Sequence, residues 1–333
     1  MHTVARSKMA ADLLRGGGEV AVALALVGPG TVGSALLEQL RTQVPLLRAR
    51  HGIHLQLLGI TNSRTMVLDK SLDLDEWQAA LLERGTDASL GALTEYLKAS
   101  PAEHKAVIDC TASGYVPQHY GRWLVQGLHV VTPNKKLNSG SYADYAAVKA
   151  LQRSHRAHYL YEGTVGAGLP IISTLKTLLD TGDDVGRVEG VFSGTLSYIF
   201  NNLRPGGEPF SAVVAAARRM GYTEPDPRDD LSGTDVTRKV ITLARECGSR
   251  AELGDVDTES LVPQALRGDD LSPAEFMARL PEVRRSRWMC LLPRPTPHLG
   301  ATARWNRSAR SATTLSDTHS PPTLPVLGPF RAV

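Results

Sequence analysis

Val22-Ala23-Leu24-Ala25-Leu26-Val27-Gly28-Pro29-Gly30-Thr31-Val32-Gly33 is the stretch whose reading decides the fold class. Its first six residues form an uninterrupted apolar run, as expected of a strand buried on both faces of a parallel sheet. The run then breaks into three glycines spaced G-x-G-x-x-G, and behind them Val32, Ala35, Leu36 and Leu40 recur with helical spacing. In that strand, turn and helix context Gly28 allows a tight turn, Gly30 lets a pyrophosphate approach the backbone, and Gly33 lets helix and strand pack closely. The helix N-terminus at Thr31 and Val32 adds amide donors and a favourable dipole for the anion. Gly28, Gly30, Thr31, Val32 and Gly33 are therefore the expected cofactor contacts of an α/β, Rossmann-type nucleotide-binding domain.

Further strands line up downstream. His54 to Ile60 reads as the second, and it ends in Thr61-Asn62-Ser63-Arg64 where a site for NAD usually presents an acid to the ribose. A guanidinium and small polar groups suit a 2′-phosphate, so Arg64 is read as favouring NADP over NAD, or else as a solvated loop residue that leaves NAD possible. Helical patterns over Asp75 to Arg84 and Ser89 to Lys98 lead to a strand from Ala106 to Cys110. Thr111 and Ser113 follow it, at the carboxyl end where doubly wound sheets hold ligands, and are read as nicotinamide-side contacts or as turn formers. Leu128 to Thr132 is a further strand, and Pro133-Asn134-Lys135-Lys136 places Lys135 at the same edge, as a contact for cofactor and substrate.

The second half mixes helix and strand and reads as a second α/β domain. Tyr159 to Gly168 is dense in glycine beside Glu162, which fits either exposed carbonyls around a hard cation or a plain hinge. Helical patterns run from Pro170 to Leu179, Thr195 to Leu203 and Ser211 to Met220, with a strand over Arg187 to Ser193. Gly221 to Lys239 is acid-rich, and Pro225 and Pro227 predict a stiff loop from Glu224 to Asp230. From Thr234 the pattern is helical, which stacks Asp235 and Lys239 one turn apart in the favourable acid-before-base order. Facing a ligand, such a pair is a proton donor beside the carboxylate that holds it. Facing water, it is an ion pair worth about 0.3 to 0.5 kcal/mol.

Composition bounds the function. A length of 333 residues exceeds one ordinary core and predicts roughly two domains. No apolar run approaches the ~20 residues that cross a bilayer, and a net charge of +3 leaves no nucleic-acid footprint. Three cysteines, Cys110, Cys247 and Cys290, have neither disulfide-framework nor zinc spacing and fit a reducing compartment. The ten histidines show no H-E-x-x-H spacing for metal hydrolysis. A thioester-forming semialdehyde dehydrogenase needs a nucleophilic cysteine, and Cys110 ends an apolar strand without a partnered histidine.

From about Val22 to Val283 the chain resembles homoserine dehydrogenase. The resemblance rests on Gly28 to Gly33, Thr132 to Lys136, Glu162-Gly163-Thr164-Val165-Gly166-Ala167-Gly168-Leu169-Pro170, Phe192 to Phe200, and Gly221 to Lys239. It implies interconversion of L-homoserine and L-aspartate 4-semialdehyde with NADP or NAD, on the route to threonine, isoleucine and methionine. It carries the proton-donating lysine onto Lys239 and a second active-site lysine onto Lys135. Substrate-binding carboxylates fall on Glu224 and Asp235, with Asp230 as a supporting acid. A monovalent cation site, usually sodium, falls on Glu162, Val165, Ala167 and Leu169, and Thr111 matches a cofactor contact. The resemblance also implies a homodimer formed through the second domain. The cytoplasm is the expected compartment, or the plastid stroma if a transit segment is missing.

The expected organisation is a disordered segment 1–20, a dinucleotide-binding domain 21–165, a substrate-binding and dimerisation domain 166–283, and an atypical tail 284–333. That tail opens Arg284-Arg285-Ser286-Arg287-Trp288, continues rich in Pro, Arg, Ser and Thr without periodicity, and is expected to be disordered. It departs from the family pattern. An inactive, truncated or frame-altered homologue acting as a binding subunit is therefore the alternative reading.

Overall fold

The computed structural model describes residues 19–204, 206–224, 226–258, 260–268 and 270–282, with the backbone of two short strands at 302–306 and 330–332. Two compact units emerge. One comprises the chain up to Asn134 with Ala146–Gly163, the other Lys135–Tyr145 with the chain from Thr164 onward. The segment Lys135–Tyr145, expected in the first domain, thus groups with the second.

In the first unit β1 (Val20–Val27) leads into α1 (Thr31–His51), then β2 (Ile53–Thr61) and β3 (Thr65–Leu68). Next come α2 (Trp77–Glu83), β4 (Thr86–Asp87), α3 (Leu90–Ala99), β5 (His104–Asp109), α4 (Tyr120–Val125) and β6 (His129–Val131). The chain then passes through α5 (Lys136–Ser139) and the start of α6 (Tyr142–Ser154), which belong to the second unit, and returns along the rest of α6 to β7 (Tyr159–Leu160). The sheet order is β4-β3-β2-β1-β5-β6-β7, parallel from β2 to β7, with β3 and β4 added antiparallel at one edge. The central β1 is buried on both faces as its apolar run requires, and Leu24 and Leu26 pack with Leu37, Leu57, Ile60 and Ile108. The edge strands β3 and β4 escape sequence reading because four and two residues are too short to show a period.

The second unit adds α7 (Ile171–Asp180), β8 (Arg187–Val191), α8 (Gly194–Asn202), α9 (Phe210–Arg219), α10 (Pro227–Leu231) and α11 (Thr234–Glu246). It ends with β9 (Val256–Thr258), α12 (Pro273–Arg279), β10 (Thr302–Asn306) and β11 (Phe330–Ala332). Helix α11 buries Val236, Val240, Ile241 and Ala244 against Leu196, Ile199, Phe210 and Val214. The sheet order is β8-β10-β11-β9, with β10 antiparallel to β8 from Thr302 opposite Val191 to Asn306 opposite Arg187.

Two expectations are corrected. Within the stretch expected to be disordered, residues 302–306 and 330–332 pair as strands. A ladder is made by backbone groups, which need no apolar period to find an open edge. The loop Glu224 to Asp230 ends in a helical turn, because Pro227 occupies the first helical position, where its missing N–H costs nothing, behind the Asp226 N-cap. The expectations for residues 1–18, and for 283–333 apart from those two strands, lie outside the described residues.

Candidate active site

The glycine turn is built as its spacing demands. Gly28 leaves β1 at φ +87°, and a Cβ there would come within 2.5 Å of Thr111 Cγ2. A Cβ on Gly33 would collide with the Gly28 carbonyl oxygen, so that position closes the helix onto the turn. Around Gly30 a Cβ would meet nothing within 4 Å, which leaves open space beside the backbone. Gly30 caps α1 without a side chain, and no acid lies in the first turn, so the amides of Thr31, Val32 and Gly33 face that space with no like charge to repel an anion. The cradle fits a dinucleotide. It lies where the chain goes from β1 to β2 on one side and joins β5 on the other, the switch point of the sheet.

Beyond β5, a buried polar network fixes the neighbouring loop. Asp109 is fully buried, and its Oδ2 accepts hydrogen bonds from the Tyr120 hydroxyl at 2.5 Å and Asn134 Nδ2 at 3.1 Å. Its Oδ1 accepts from the Thr111 amide at 2.8 Å. Thr132 Oγ1 donates to the Asp109 carbonyl at 2.7 Å and accepts from the Asn134 amide at 2.9 Å. Asn134 Nδ2 also reaches the Ser113 carbonyl at 2.9 Å, and the Ser113 amide donates to Thr111 Oγ1 at 3.2 Å. Burial and then the Asp109 carboxylate push the Tyr120 phenol far above its ordinary value, so it stays a donor. Thr111 is thus held beside Gly28, and Ser113 is tied to Thr111 and Asn134, by residues that sequence reading did not single out. A lone Asp, Tyr, Thr or Asn has no spacing signal.

Cys110 lies in the same loop, its thiol pushed up to about 11 by burial and then by the Asp109 charge. Burial and the Asp109 charge thus disfavour the thiolate that a nucleophilic role would need. Arg64 is exposed in a tight turn after β2, where Asn62 Oδ1 accepts from the amides of Arg64 at 2.7 Å and Thr65 at 2.8 Å.

The second unit holds the charged centre. Asp235 in the first turn of α11 receives Lys239 Nζ on Oδ2 at 2.6 Å and Lys135 Nζ on Oδ1 at 3.1 Å. Lys239 Nζ also donates to the Phe192 carbonyl at 2.5 Å. An ammonium has three N–H bonds, so one remains for a substrate. Burial pushes the Asp235 carboxyl up, and the two ammonium groups outweigh it, so its value falls below the usual range. The isolated ion-pair reading of Asp235 and Lys239 gives way to a bridged triad with Lys135.

Asp230 lies one element upstream. Its Oδ1 accepts from Thr195 Oγ1 at 2.9 Å and its Oδ2 from the Glu224 amide at 2.8 Å. The Tyr222 carbonyl also lies within hydrogen-bond range of Thr195 Oγ1, whose single O–H is shared between that carbonyl and Asp230. Burial first, then Asp235 and Asp229, raise the Asp230 carboxyl against those hydrogen bonds. Glu224 itself is exposed, its backbone fixed by Asp230. Thr195 and the Phe192 carbonyl escape sequence reading, although both lie in the Phe192 to Phe200 motif.

The residues read as a cation site lie on a sharply bent strand of backbone. Gly166 and Ala167 both have positive φ, +79° and +51°, and the Leu169 amide closes on the Gly166 carbonyl at 2.9 Å. Glu162 opens the single turn Glu162–Thr164 just before, Val165 is buried, and Leu169 is exposed. The left-handed Ala167 is the costly feature, since only glycine adopts that region freely.

Residues 28–162 match the family model described as the NAD binding domain of homoserine dehydrogenase, and residues 170–290 match that of homoserine dehydrogenase itself. The homoserine dehydrogenase of Schizosaccharomyces pombe is 38% identical over 268 residues, covering 78% of this chain and 71% of that protein. The chain belongs to the homoserine dehydrogenase family. Another relative is the bifunctional aspartokinase/homoserine dehydrogenase 2, chloroplastic, of Zea mays, 52% identical over 262 residues. The match covers 78% of this chain and 28% of that protein, so the chain spans under a third of the length of such plant relatives. Among solved structures, a Candida auris protein of unknown function shares the fold at TM-score 0.74 and 33% identity, over 86% of this chain and 80% of that one. A hyperthermophilic archaeal homoserine dehydrogenase in complex with NADPH has TM-score 0.64 at 19% identity, over 94% and 81% of the two chains, a likeness of fold alone. The glycine cradle of the first unit is suited to the phosphates of a nucleotide, and the lysine-carboxylate triad of the second unit to a polar, charged ligand.

Proposed function

We propose that this chain is an NADP-linked homoserine dehydrogenase, interconverting L-homoserine and L-aspartate 4-semialdehyde on the route to threonine, isoleucine and methionine. The observation that carries this reading is the triad, one carboxylate holding two lysine ammonium groups at 2.6 and 3.1 Å, in a chain of this family. A bound reduced nicotinamide supplies the hydride to the aldehyde carbon. Lys239 gives the proton that the developing alkoxide needs, through the N–H not engaged by Asp235 and the Phe192 carbonyl. Lys135 adds a second positive charge where negative charge grows on the substrate oxygen. Glu224 and Asp235, supported by Asp230, hold the substrate's own ammonium group, for which acids are the matching partners. A proton delivered to Asp235 would break the bridge between the lysines, so its lowered value extends the intact triad further into acid than an ordinary aspartate would.

Arg64, exposed after β2, is the group suited to a 2′-phosphate and supports NADP over NAD. The carbonyls of Val165, Ala167 and Leu169, with Glu162 close by in sequence, would hold a monovalent cation, sodium being the expected ion. The chain would act as a homodimer formed through its second unit. Its compartment is the cytoplasm or the plastid stroma, the latter supported by the plant relatives named chloroplastic. Among the described residues no helix is long and apolar enough to cross a membrane. Loss of NADPH absorbance on adding aspartate semialdehyde to the purified chain tests the reading. Soluble, cooperatively folded protein with no semialdehyde-dependent oxidation would favour the inactive homologue instead.

A further inference from the structure

Asp235, Arg238 and Arg245 lie three and then seven residues apart on α11, one stripe of the helix. Each engages the segment that begins at Lys135. Asp235 takes the Lys135 ammonium. Arg238 Nη1 donates to Ser139 Oγ at 2.9 Å, and Ser139 Oγ in turn donates to the Lys135 carbonyl at 2.8 Å.

Arg245 does the most. It is 3% exposed, and its guanidinium donates to the carbonyls of Asn138 at 2.9 Å and Gly140 at 2.8 Å, the groups left open where the four-residue α5 ends. It also reaches the Ala251 carbonyl through Nε and Nη2, and Glu252 Oε2 at 3.1 Å, and it lies over the rings of Tyr142 and Tyr145. Glu252 Oε1 meanwhile accepts the Tyr142 amide at 2.8 Å. Only one of these partners is a carboxylate, and it is half exposed, so burying this cation is costly and burial pulls its value down. A planar fork with five donors can hold two carbonyls of α5 and a third from beyond α11 at once.

We propose that Arg245 is a positioning residue for Lys135. By gripping the end of α5 it sets the height of that short helix along α11, and this height decides whether the Lys135 ammonium meets Asp235. The inference rests on the reading of Lys135 given under the proposed function.

Crystal structures and steady-state kinetics of Arg245→Met and Arg245→Lys test it. In R245M the Lys135 to Asp235 separation is expected to open beyond hydrogen-bond range. The kcat/KM for aspartate semialdehyde is expected to fall roughly tenfold to a hundredfold, while the Kd for NADPH stays within about threefold, as for a coupled neighbour acting on one group. Lysine reaches fewer carbonyls than the fork, so R245K is expected to show a smaller loss of the same kind. An intact Lys135 to Asp235 pair in R245M, or equal losses of turnover and NADPH binding, would overturn the proposal. If R245M does not fold, R245K decides, and wild-type geometry and kcat/KM there would overturn it. Should the unaltered chain fail to turn over the semialdehyde, the proposed function fails, yet the measured separation still decides the role of Arg245.

Discussion

Asp235 answers two ammonium groups with one carboxylate, so charge decides what a change at each position does. Asp230 shows the opposite balance, being raised by burial and by the charges of Asp235 and Asp229. An acid raised in the native state costs the fold stability in its charged form. That cost is absent below the ordinary value of 3.8 and complete above the native one. Asp230→Asn, which keeps the shape and can still bond Thr195 and the Glu224 amide, is therefore expected to be more stable than wild type near pH 7. The advantage should shrink as pH falls towards about 4; urea unfolding at both pH values checks this. At Arg64 the expectation concerns cofactor choice. Arg64→Ala should weaken NADPH binding by roughly tenfold to a hundredfold, the loss of a charge-assisted hydrogen bond, and leave NADH unchanged in a fluorescence titration. Of these residues, Asp235 and Lys239 are legible as a pair because helical spacing is local. Asp109 and Arg245 are not, since the partners of Arg245 at Asn138 and Gly140 lie 107 and 105 residues away and no pattern along the chain announces them.

At the scale of elements, the glycine turn and α11 carry the argument. A side chain at Gly33 would strike the Gly28 carbonyl, so Gly33→Ala forces α1 away from β1. It is expected to cost about 1 to 3 kcal/mol in thermal unfolding and to weaken NADPH binding at the same time. Ile241 is fully buried in the core of the second unit and is not among the groups that bond Asp235, Lys135 or Lys239. Ile241→Ala should cost roughly 2 to 5 kcal/mol of stability, read by denaturant unfolding, with kcat preserved in the folded fraction. Both elements are legible because an apolar run before G-x-G-x-x-G, and apolar residues at helical spacing after Thr234, each have one physical explanation. The helical turn at Pro227 departs from the expected loop for a definable reason: proline forbids helix only beyond the first turn. Strands β10 and β11 were invisible because pairing with β8 and β9 is a property of the partner backbone.

At the scale of the molecule, length predicts two units, and the contacts reassign Lys135–Tyr145 to the second. That reassignment places Lys135 in the same unit as Asp235 and Lys239, so the whole charged triad belongs to one compact body and the glycine cradle to the other. Binding of cofactor and delivery of the proton should therefore be separable by substitution. The most direct measurement compares Lys239→Ala with the unaltered chain for both turnover of aspartate semialdehyde and affinity for NADPH. Turnover is expected to fall by roughly a hundredfold to ten-thousandfold, the usual contribution of a positioned proton donor, with the NADPH Kd nearly unchanged. Retained turnover, or loss of turnover and cofactor binding together, would contradict the role given to Lys239.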